Sequence, residues 1–419
     1  FDEAGLLDRM AADGGLDGGL DGDLVSDLAQ RIAAFHEAAG AQPPDPAFGS
    51  GDAVLAPARE NFRRIRPRTD ERLAGRLDAL AEWTERRHGE LADAWRRRRE
   101  AGRVRECHGD MHLGNIALVD GVPTIFDGIE FNAAMRWIDT ASDIAFLVMD
   151  LDRRGRAGLA GRLLDDWLAA TGDHDALTVL RFYLVYRALV RAKIAAIRLE
   201  QLDADAAAAA EQRDALEGYV GLAERYAAAW APAMILMRGV AGTGKSTAAA
   251  VLVERIGAVR LRADVERRRL YPDPDPAVRY APAAHDAVYE RLGRLTDTVT
   301  GAGFPAIVDA TCLEAGRRAP FVDRARARGL PLRILDMALP DATTVARIEA
   351  RRRAGRDPSE AGAEVMRAQE KRLEPLTPPE LAARVAVDNG GSAPRVPPTG
   401  LAHARGFPDD AEGAGGADA

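Results

Sequence analysis

One short glycine-rich motif restricts what this chain can fold into more than any other feature of its sequence. The segment Gly239–Ser246 fits the pattern G-x-x-x-x-G-K-[ST] at every fixed position. In this pattern the glycines let backbone N–H groups face a bound phosphate, the lysine reaches the phosphates, and the serine hydroxyl can hold Mg²⁺. Lys245 is one of only three lysines in a chain with 54 arginines, so its place here is informative. The predicted nucleotide-binding residues are Gly239, Gly242, Thr243, Gly244, Lys245, Ser246 and Thr247, with Ser246 also a metal ligand.

The residues on either side of the motif predict the structure that such a loop requires. Residues 233–238 form a short apolar run typical of a buried strand, and residues 246–256 are alanine-rich without a helix breaker. This order of strand, loop and helix places phosphates at a helix N-terminus. Further predicted strands alternate with helices, which is typical of a mostly parallel, doubly wound α/β sheet. The predicted strands cover 258–262, 305–309, 332–338 and 384–388, and the helices cover 283–300, 318–328, 341–354 and 359–373.

Length, charge and cysteine content narrow the class of protein. A chain of 419 residues predicts two or three domains. Its net charge of −8 argues against a nucleic-acid partner, because proteins that bind nucleic acids usually carry a basic face. Its two cysteines are too few for a disulfide framework and favour a reducing compartment. No run approaches the roughly 18 apolar residues of a membrane span. We therefore expect a cytoplasmic protein with no membrane partner.

Composition divides the chain into four predicted parts. Residues 1–203 contain a motif of their own, described below. An alanine-rich helical connector at 204–232 leads to the phosphate-loop domain at 233–389. Residues 390–419 are rich in Gly, Pro, Ala and Asp and lack apolar periodicity, which predicts a disordered tail.

Two aspartates follow predicted strands of the α/β sheet. Asp264 comes after the second strand, and Asp309 ends the third. Because ligands of doubly wound sheets bind at the carboxyl ends of the strands, both carboxylates should lie beside the phosphate loop. There they are suited to hold Mg²⁺ or to contact an acceptor hydroxyl. The alternative for each is a turn or helix-capping aspartate without a chemical role.

An arginine-rich segment separates the last two predicted strands. Residues 341–356 carry five arginines, of which Arg347 and Arg351 are four positions apart and share one face of a predicted helix. Guanidinium groups placed here can close over a triphosphate and stabilise the charge of the phosphoryl group in transfer. We predict that Arg347 and Arg351 bind nucleotide. The alternative is a solvated, charged helix.

Residues 233–388 resemble the small phosphate-loop kinases related to polynucleotide kinase, gluconate kinase and zeta toxin. In that group an aspartate downstream of the loop lysine accepts the proton of the substrate hydroxyl, and Asp264 lies 19 residues after Lys245. An arginine three residues further on often contacts the acceptor, and Arg267 matches it. The run from 307 to 311 matches the strand-end pattern of the group. The resemblance implies that Lys245, Asp264 and Arg267 take part in catalysis, and it places Asp309 in a strand-end site that suits a metal.

A second motif lies in the first half of the chain. The run His108–Asn115 has the D-x-x-x-x-N spacing of a kinase catalytic loop, with Asp110 as the carboxylate. Two apolar runs follow, joined by Asp-Gly at 120–121, and this predicts a two-residue hairpin. Folding the hairpin pairs position 115 with 126, so Asn115 and Asp127 arrive side by side, as two ligands of one Mg²⁺ require. The alternative is a hairpin with polar residues at its open end.

These residues resemble the aminoglycoside phosphotransferase and choline kinase superfamily. The resemblance implies that Asp110 is a catalytic base, that Asn115 and Asp127 hold the metal, and that Asp139 and Asp143 support the loop. The order of the two halves resembles a group of bacterial fusion proteins described as aminoglycoside phosphotransferase-like plus ATP-binding protein.

The N-lobe of a kinase-like fold has no counterpart in this sequence. An N-lobe supplies a phosphate-covering loop and a strand lysine. Residues 1–192 contain no lysine, and the region before 104 is predicted to be helical, for example at 24–39 and 71–98. We therefore predict a kinase-like C-lobe without its N-lobe. The first residue, Phe1, favours truncation.

The predicted fold class is α/β: a mainly helical kinase-like C-lobe, then a doubly wound parallel-sheet phosphate-loop kinase domain. The function that this predicts is ATP- and Mg²⁺-dependent phosphoryl transfer to a hydroxyl of a small molecule, carried by the C-terminal domain. Two alternatives remain open: a non-catalytic ATP-binding switch coupled to the N-terminal half, and a nucleic-acid-end kinase. Neither the acceptor nor the oligomeric state is predicted by the sequence.

Overall fold

The computed structural model describes residues 5–12, 20–43, 45–203, 207–272, 275–337, 343–347, 349, 363–390 and 394–407. The chain divides into two compact units, Phe1–Ala229 and Trp230–Ala419. The division lies close to the predicted start of the phosphate-loop domain. The predicted connector is not a separate part, because its helix Ala207–Ala227 packs against a helix of the first unit.

The first unit is mainly helical. Its core is formed by α7 and α9, which pack against each other, and α2 packs against α8. Nearly every residue of α7 is buried. The helices are α1 (Leu7–Ala12), α2 (Gly22–Ala38), α3 (Gly51–Ile65), α4 (Glu71–Glu90), α5 (Ala92–Glu100), α6 (Ala133–Arg136), α7 (Thr140–Arg153), α8 (Ala157–Thr171), α9 (Ala176–Leu199) and α10 (Ala207–Ala227). The predicted single helix at 71–98 is therefore two helices, which meet at Leu91.

Two small antiparallel sheets hold the loop that contains the second motif. Strand β1 (Val104–Glu106) pairs with β4 (Trp137–Asp139). Strand β2 (Ile116–Val119) pairs with β3 (Val122–Ile125) in the predicted register, with Val119 opposite Val122. Asp120 and Gly121 both have positive φ angles, 51° and 76°, as a tight two-residue hairpin turn requires. The predicted hairpin is confirmed.

The second unit is built on a five-stranded parallel sheet with the order β6-β7-β5-β8-β9. All five strands were predicted, and each lies within its predicted range. Strand β5 is central and completely buried, which explains its unbroken apolar sequence. The strands are β5 (Met234–Arg238), β6 (Val259–Arg262), β7 (Ala306–Asp309), β8 (Leu332–Asp336) and β9 (Arg384–Ala386).

Helices connect these strands. The helix after the phosphate loop packs its apolar residues against β5, β6 and β7. The helices are α11 (Lys245–Ile256), α12 (Ala263–Leu270), α13 (Pro276–Arg279), α14 (Pro282–Gly301) and α15 (Ala315–Ala327), followed by two short helices, Ala363–Glu370 and Pro378–Ala382. Of the predicted helix at 341–354, residues 343–347 and 349 are described and helical; the remainder lies outside the described residues.

The predicted disordered tail is wrong for residues 394–407. Val396 and Ala404 are buried, and Val396 belongs to the apolar core around α11. Arg255 donates a hydrogen bond to the carbonyl of Val396 at 2.8 Å, and Arg333 donates one to the carbonyl of Thr399 at 2.8 Å. Arginine-to-carbonyl bonds of this kind leave no periodic pattern in the sequence. Residues 391–393 and 408–419 lie outside the described residues.

Within the part of the chain that the structure describes, no helix combines the length and apolar character needed to cross a membrane.

Candidate active site

The phosphate loop has a backbone that only glycine tolerates at two of its positions. Gly239 has a φ of 148°, and a Cβ there would lie 2.4 Å from the carbonyl oxygen of Met337. Gly244 has a φ of 81°, and a Cβ there would lie 2.9 Å from the side-chain nitrogen of Asn389. Side chains rarely adopt such angles and would also collide, so the loop keeps its curl only with glycine.

Hydrogen bonds within the loop fix this curl. The Nζ of Lys245 donates to the carbonyl of Val240 at 2.8 Å, and the Thr243 hydroxyl donates to the same carbonyl at 2.9 Å. The Thr243 side chain is therefore directed into the loop, and the amide of Asn389 donates to the Thr243 carbonyl. Thr243 and Gly239 shape the loop but do not line the cavity described next.

A cavity of about 930 Å³ opens at the carboxyl ends of the strands. We call it the phosphate-loop cavity. Gly242, Gly244, Lys245, Ser246 and Thr247 form one wall of it, and Asp264, Arg267, Asp309 and Arg347 also line it. Arg262, the last residue of β6, pairs with Asp309 of β7, and Asp264 follows Arg262 by two residues. The carboxylates of Asp264 and Asp309 therefore lie at the ends of neighbouring strands, at the same edge of the sheet. The predicted site residues of this unit therefore line one cavity, apart from Gly239 and Thr243, which shape the loop, and Arg351, which lies outside the described residues.

Asp264 lies in the first turn of α12, where it is partly buried. Burial raises the pKa of its carboxyl group, and the negative charge of Asp309 raises it further. The positive charges of Arg267, Arg262 and Lys245 oppose this shift without cancelling it. A carboxylate with a raised pKa beside a phosphate-binding loop is a stronger base than an ordinary aspartate, as proton abstraction from a hydroxyl requires.

Arg267 is buried one helical turn after Asp264, with 5% of its surface exposed. Its guanidinium group donates to the carbonyl of Arg279, contacts Nδ1 of His285 at 3.3 Å and lies over the ring of Tyr280. Among the described residues, no carboxylate lies within ion-pair distance of it. Burial, followed by the charge of Arg267, lowers the pKa of His285. This part of the cavity is therefore positively charged and suits a polar or anionic group.

The loop after β7 is held by a buried arginine that the sequence did not single out. Arg318 has no exposed surface and donates to the carbonyls of Cys312, Leu313 and Pro375 and to both carboxylate oxygens of Glu380. Cys312 has a positive φ of 44°, and burial raises its pKa to about 12. These contacts fix the backbone that leaves Asp309.

The arginine predicted to cover the nucleotide reaches the cavity from residues 343–347. Arg347 donates to the carbonyl of Asn389 at 2.9 Å. Gln369, which also lines the cavity, accepts a hydrogen bond from the loop N–H of Ala241 at 2.7 Å. Sequence reasoning missed both Asn389 and Gln369, because a single amide residue on a helix or after a strand carries no motif.

In the first unit, the predicted pairing of position 115 with position 126 is confirmed. The N–H of Phe126 donates to the carbonyl of Asn115 at 3.0 Å, so Asp127 is the residue after the one that faces Asn115. The Asn115 amide donates to the Asp110 carbonyl at 3.0 Å and lies 3.4 Å from its carboxylate. Asp127 has a positive φ of 59°. Their roles as base and metal ligands remain a prediction.

Charges around Asp110 favour its ionised form. Burial alone would raise the pKa of Asp110, but the hydrogen bond from His112 and the charges of Arg187 and Arg191 outweigh it, so the pKa is lowered. Arg187 is buried in α9 and donates to the carbonyls of Gly109 and Ser142, each at 3.0 Å. The buried guanidinium group of Arg187 thus supports the loop that carries Asp110.

Asp139 and Asp143 have the supporting positions that the resemblance implied. Asp143 is fully buried and accepts from the N–H groups of His108 and Gly109 at 3.1 and 3.0 Å. Asp139 accepts from Arg98 at 2.6 and 2.7 Å and from the first turn of α7. Asp143 thus holds the loop that carries Asp110 directly, whereas Asp139 caps α7, the helix that carries Asp143.

Asp143 also belongs to a buried cluster with His36 and Cys107, whose ligand atoms lie within 4.8 Å of one another. The indole N–H of Trp167 donates to Nδ1 of His36 at 3.1 Å, so the ring proton of a neutral His36 is on Nε2, which faces Asp143 at 3.1 Å. Burial raises the pKa of Cys107 well above its usual value. With Nε2 protonated and the thiol neutral, these groups are hydrogen-bonded core residues and do not form a metal site.

Comparison with protein families finds a match in each half of the chain. Residues 5–183 match the family described as "Phosphotransferase enzyme family", and residues 234–376 match the family described as "AAA domain". The chain therefore combines a segment that matches a phosphotransferase family with a segment that matches an AAA-domain family, in the order that the sequence predicted.

The relatives found by sequence include uncharacterized proteins of Mycobacterium tuberculosis (Rv2004c) and Mycobacterium bovis (Mb2027c). Each is 32% identical over 299 residues, which cover 68% of this chain and 57% of the relative. The chain thus spans little more than half the length of these relatives.

Two solved structures share local similarity with the chain. A gluconokinase from Sinorhizobium meliloti is 19% identical and has a TM-score of 0.28, covering 39% of this chain and 85% of that protein. The ethanolamine kinase of Plasmodium vivax is 11% identical and has a TM-score of 0.30, covering 48% and 59%.

Proposed function

We propose that the second unit transfers a phosphoryl group from ATP to a hydroxyl group of a small molecule. One observation carries this proposal: the phosphate loop and the two strand-end carboxylates, Asp264 and Asp309, line the same cavity. A loop that binds phosphates and a carboxylate with a raised pKa beside it are the parts that phosphoryl transfer to a hydroxyl needs.

The residues fit ATP and Mg²⁺ by their chemistry. Backbone N–H groups of the glycine-rich loop and the ammonium of Lys245 suit phosphates, and the curl of the loop admits no side chain at Gly239 or Gly244. The Ser246 hydroxyl and the Asp309 carboxylate are oxygen ligands of the kind that Mg²⁺ prefers. When bound, the ion would neutralise phosphate charge.

Each remaining residue has a role that follows from its position. Asp264 would accept the proton of the acceptor hydroxyl, and Arg267, one turn later on α12, would orient the acceptor. Arg347, which lines the same cavity, would contact the phosphates. Asp110, Asn115 and Asp127 of the first unit would form a second base and metal site, which we do not expect to act in this chain.

Replacing Lys245 tests the nucleotide site. The Lys245→Ala variant removes a positive charge that faces the phosphates, so we expect ATP binding to fall below detection in calorimetry while the fold is kept. Lys371→Ala is the matched control, because Lys371 is exposed and does not line the cavity. Unchanged ATP affinity in a folded Lys245→Ala variant would contradict the assignment of the loop.

A screen for acceptors separates a kinase from an ATP-binding switch. Sugars, aminoglycosides, nucleosides and amino alcohols are incubated with ATP, Mg²⁺ and the protein, and ADP release is followed. A kinase releases ADP in proportion to the acceptor supplied. An ATP-binding switch also needs Lys245 to bind ATP, but its ADP release does not rise with any acceptor.

A further inference from the structure

The N–H of Ala241 in the phosphate loop is hydrogen-bonded to a side chain. The acceptor is Oε1 of Gln369, at 2.7 Å. Because a backbone N–H can only donate, the atom of the Gln369 amide that faces it must be the oxygen. Ala241 is the third residue of the phosphate loop and lines the phosphate-loop cavity. A neutral side-chain oxygen therefore accepts from an N–H in the loop whose amides are expected to bind phosphate oxygens.

Gln369 is held in this place by the segment that carries it. One turn earlier in the helix Ala363–Glu370, Met366 is 1% exposed and packs with Val240 of the loop and with Leu313. After the helix, the N–H of Glu374 donates to the carbonyl of Leu313 at 3.1 Å. Arg238 donates to the carbonyl of Glu374 at 2.7 Å. The helix that carries Gln369 is thus held near the loop by apolar packing before this residue and by backbone hydrogen bonds after it.

We propose that Gln369 is a placeholder ligand of the phosphate loop, which competes with a nucleoside phosphate for the N–H of Ala241 and must release it when phosphate binds there. This inference rests on the proposed function, because it assumes that the loop binds phosphates. Because the hydrogen bond to Gln369 must break for phosphate to take the N–H, Gln369 lowers nucleotide affinity.

The size of the effect follows from the strength of one hydrogen bond. Removing the competing acceptor should tighten nucleotide binding by roughly 2- to 12-fold, which corresponds to the net worth of a neutral hydrogen bond. Replacing the amide by a carboxylate should act in the opposite direction. A carboxylate accepts more strongly from the N–H and repels phosphate, so binding should weaken by about 10-fold or more.

The experiment measures ATP and ADP affinity by calorimetry for the full chain and three variants. Gln369→Ala removes the acceptor, and Gln369→Glu keeps an oxygen but adds a charge. Glu364→Ala is the control, because Glu364 is exposed on the same helix and does not line the cavity. Thermal unfolding checks that each variant folds. The expected result is tighter binding for Gln369→Ala, weaker binding for Gln369→Glu and no change for Glu364→Ala.

The outcomes distinguish this inference from the proposed function. A gain of affinity is not what damage to the fold would produce, so tighter binding by Gln369→Ala supports the placeholder role. Unchanged or weaker binding by Gln369→Ala, in a chain whose parent binds ATP through Lys245, overturns the placeholder role and leaves the proposed function standing. A parent chain that does not bind ATP overturns both.

Discussion

Asp264 combines three properties that ordinary surface aspartates lack. It lies on the wall of the phosphate-loop cavity, it is partly buried, and the charge of Asp309 opposes its ionisation. A carboxylate in this state keeps its proton to a higher pH than usual and holds a captured proton more strongly. These properties favour a general base over a helix-capping residue.

Replacing Asp264 by asparagine tests its role as the base. The amide keeps the size and polarity of the side chain but cannot accept a proton, so we expect phosphoryl transfer to fall by about 10²–10⁴-fold. ATP affinity should stay within a few-fold, because Asp264 is assigned to the acceptor side. Steady-state kinetics and calorimetry measure the two quantities. If ATP binding and turnover are lost together, Asp264 is a metal ligand or a structural residue.

The pH dependence of transfer checks the same assignment. Transfer requires ionised Asp264, so the rate should fall on acidification, and because the pKa is raised this fall should begin at a higher pH than an ordinary aspartate would give. Asp323→Asn, at an exposed aspartate of the same unit, should leave the profile unchanged.

At the scale of single residues, the sequence marked the residues that line the cavity better than the buried residues that hold the backbone around it. Lys245, Asp264 and Asp309 were predicted because motif and strand ends mark them. Arg187 and Arg318 were not, because in a chain with 54 arginines nothing distinguishes a buried guanidinium that binds carbonyls from a solvated one. Such residues are recognisable only once the backbone groups that they bind have been placed.

Among the secondary-structure elements, the strands and the hairpin were predicted closely. The packed segment 394–407 was predicted to be disordered and was missed. The hairpin was predictable because an Asp-Gly turn fixes the register of both strands. The segment 394–407 has too few apolar residues to show a period, yet its carbonyls accept from Arg255 and Arg333 and its Val396 enters the core. Its order depends on partners far away in sequence.

Shortening the chain tests whether this segment stabilises the second unit. A chain that ends at residue 390 loses the burial of Val396 and Ala404 and both arginine bonds. We expect about 2–4 kcal/mol lower stability and a midpoint of unfolding lower by roughly 5–10 °C, measured by calorimetry. A chain that ends at residue 407 is the control and should match the parent. Equal midpoints for all three chains would show that the segment adds no stability.

At the scale of the whole molecule, the chain contains two sets of kinase-like residues. Only the set in the second unit is accompanied by a lysine within a phosphate-binding motif, since residues 1–192 contain no lysine. Alignment of the triphosphate contributes most of the catalysis in phosphoryl transfer. We therefore expect that Asp110, Asn115 and Asp127 do not support turnover by themselves.

A double variant of the first unit tests this division of work. Asp110→Asn combined with Asp127→Asn should consume ATP at the rate of the parent chain, because we assign turnover to the second unit. Acceptor-dependent ADP release is the measurement, and Lys245→Ala in the same assay shows how much turnover the second unit supplies. A substantial loss in the double variant would mean that the first unit is a working kinase in this chain.

The contacts of Arg318 have a consequence for how the second unit opens. A guanidinium group has five N–H donors, and in Arg318 all five are used by carbonyls of the loop after β7, by the carbonyl of Pro375 and by Glu380. If the loop after β7 or the segment 375–380 moved away alone, N–H groups of this buried, charged guanidinium would lose their acceptors in an apolar surrounding. The loop after Asp309 and the segment 375–380 should therefore unfold together as one local cooperative unit, although more than 60 residues of chain separate their ends.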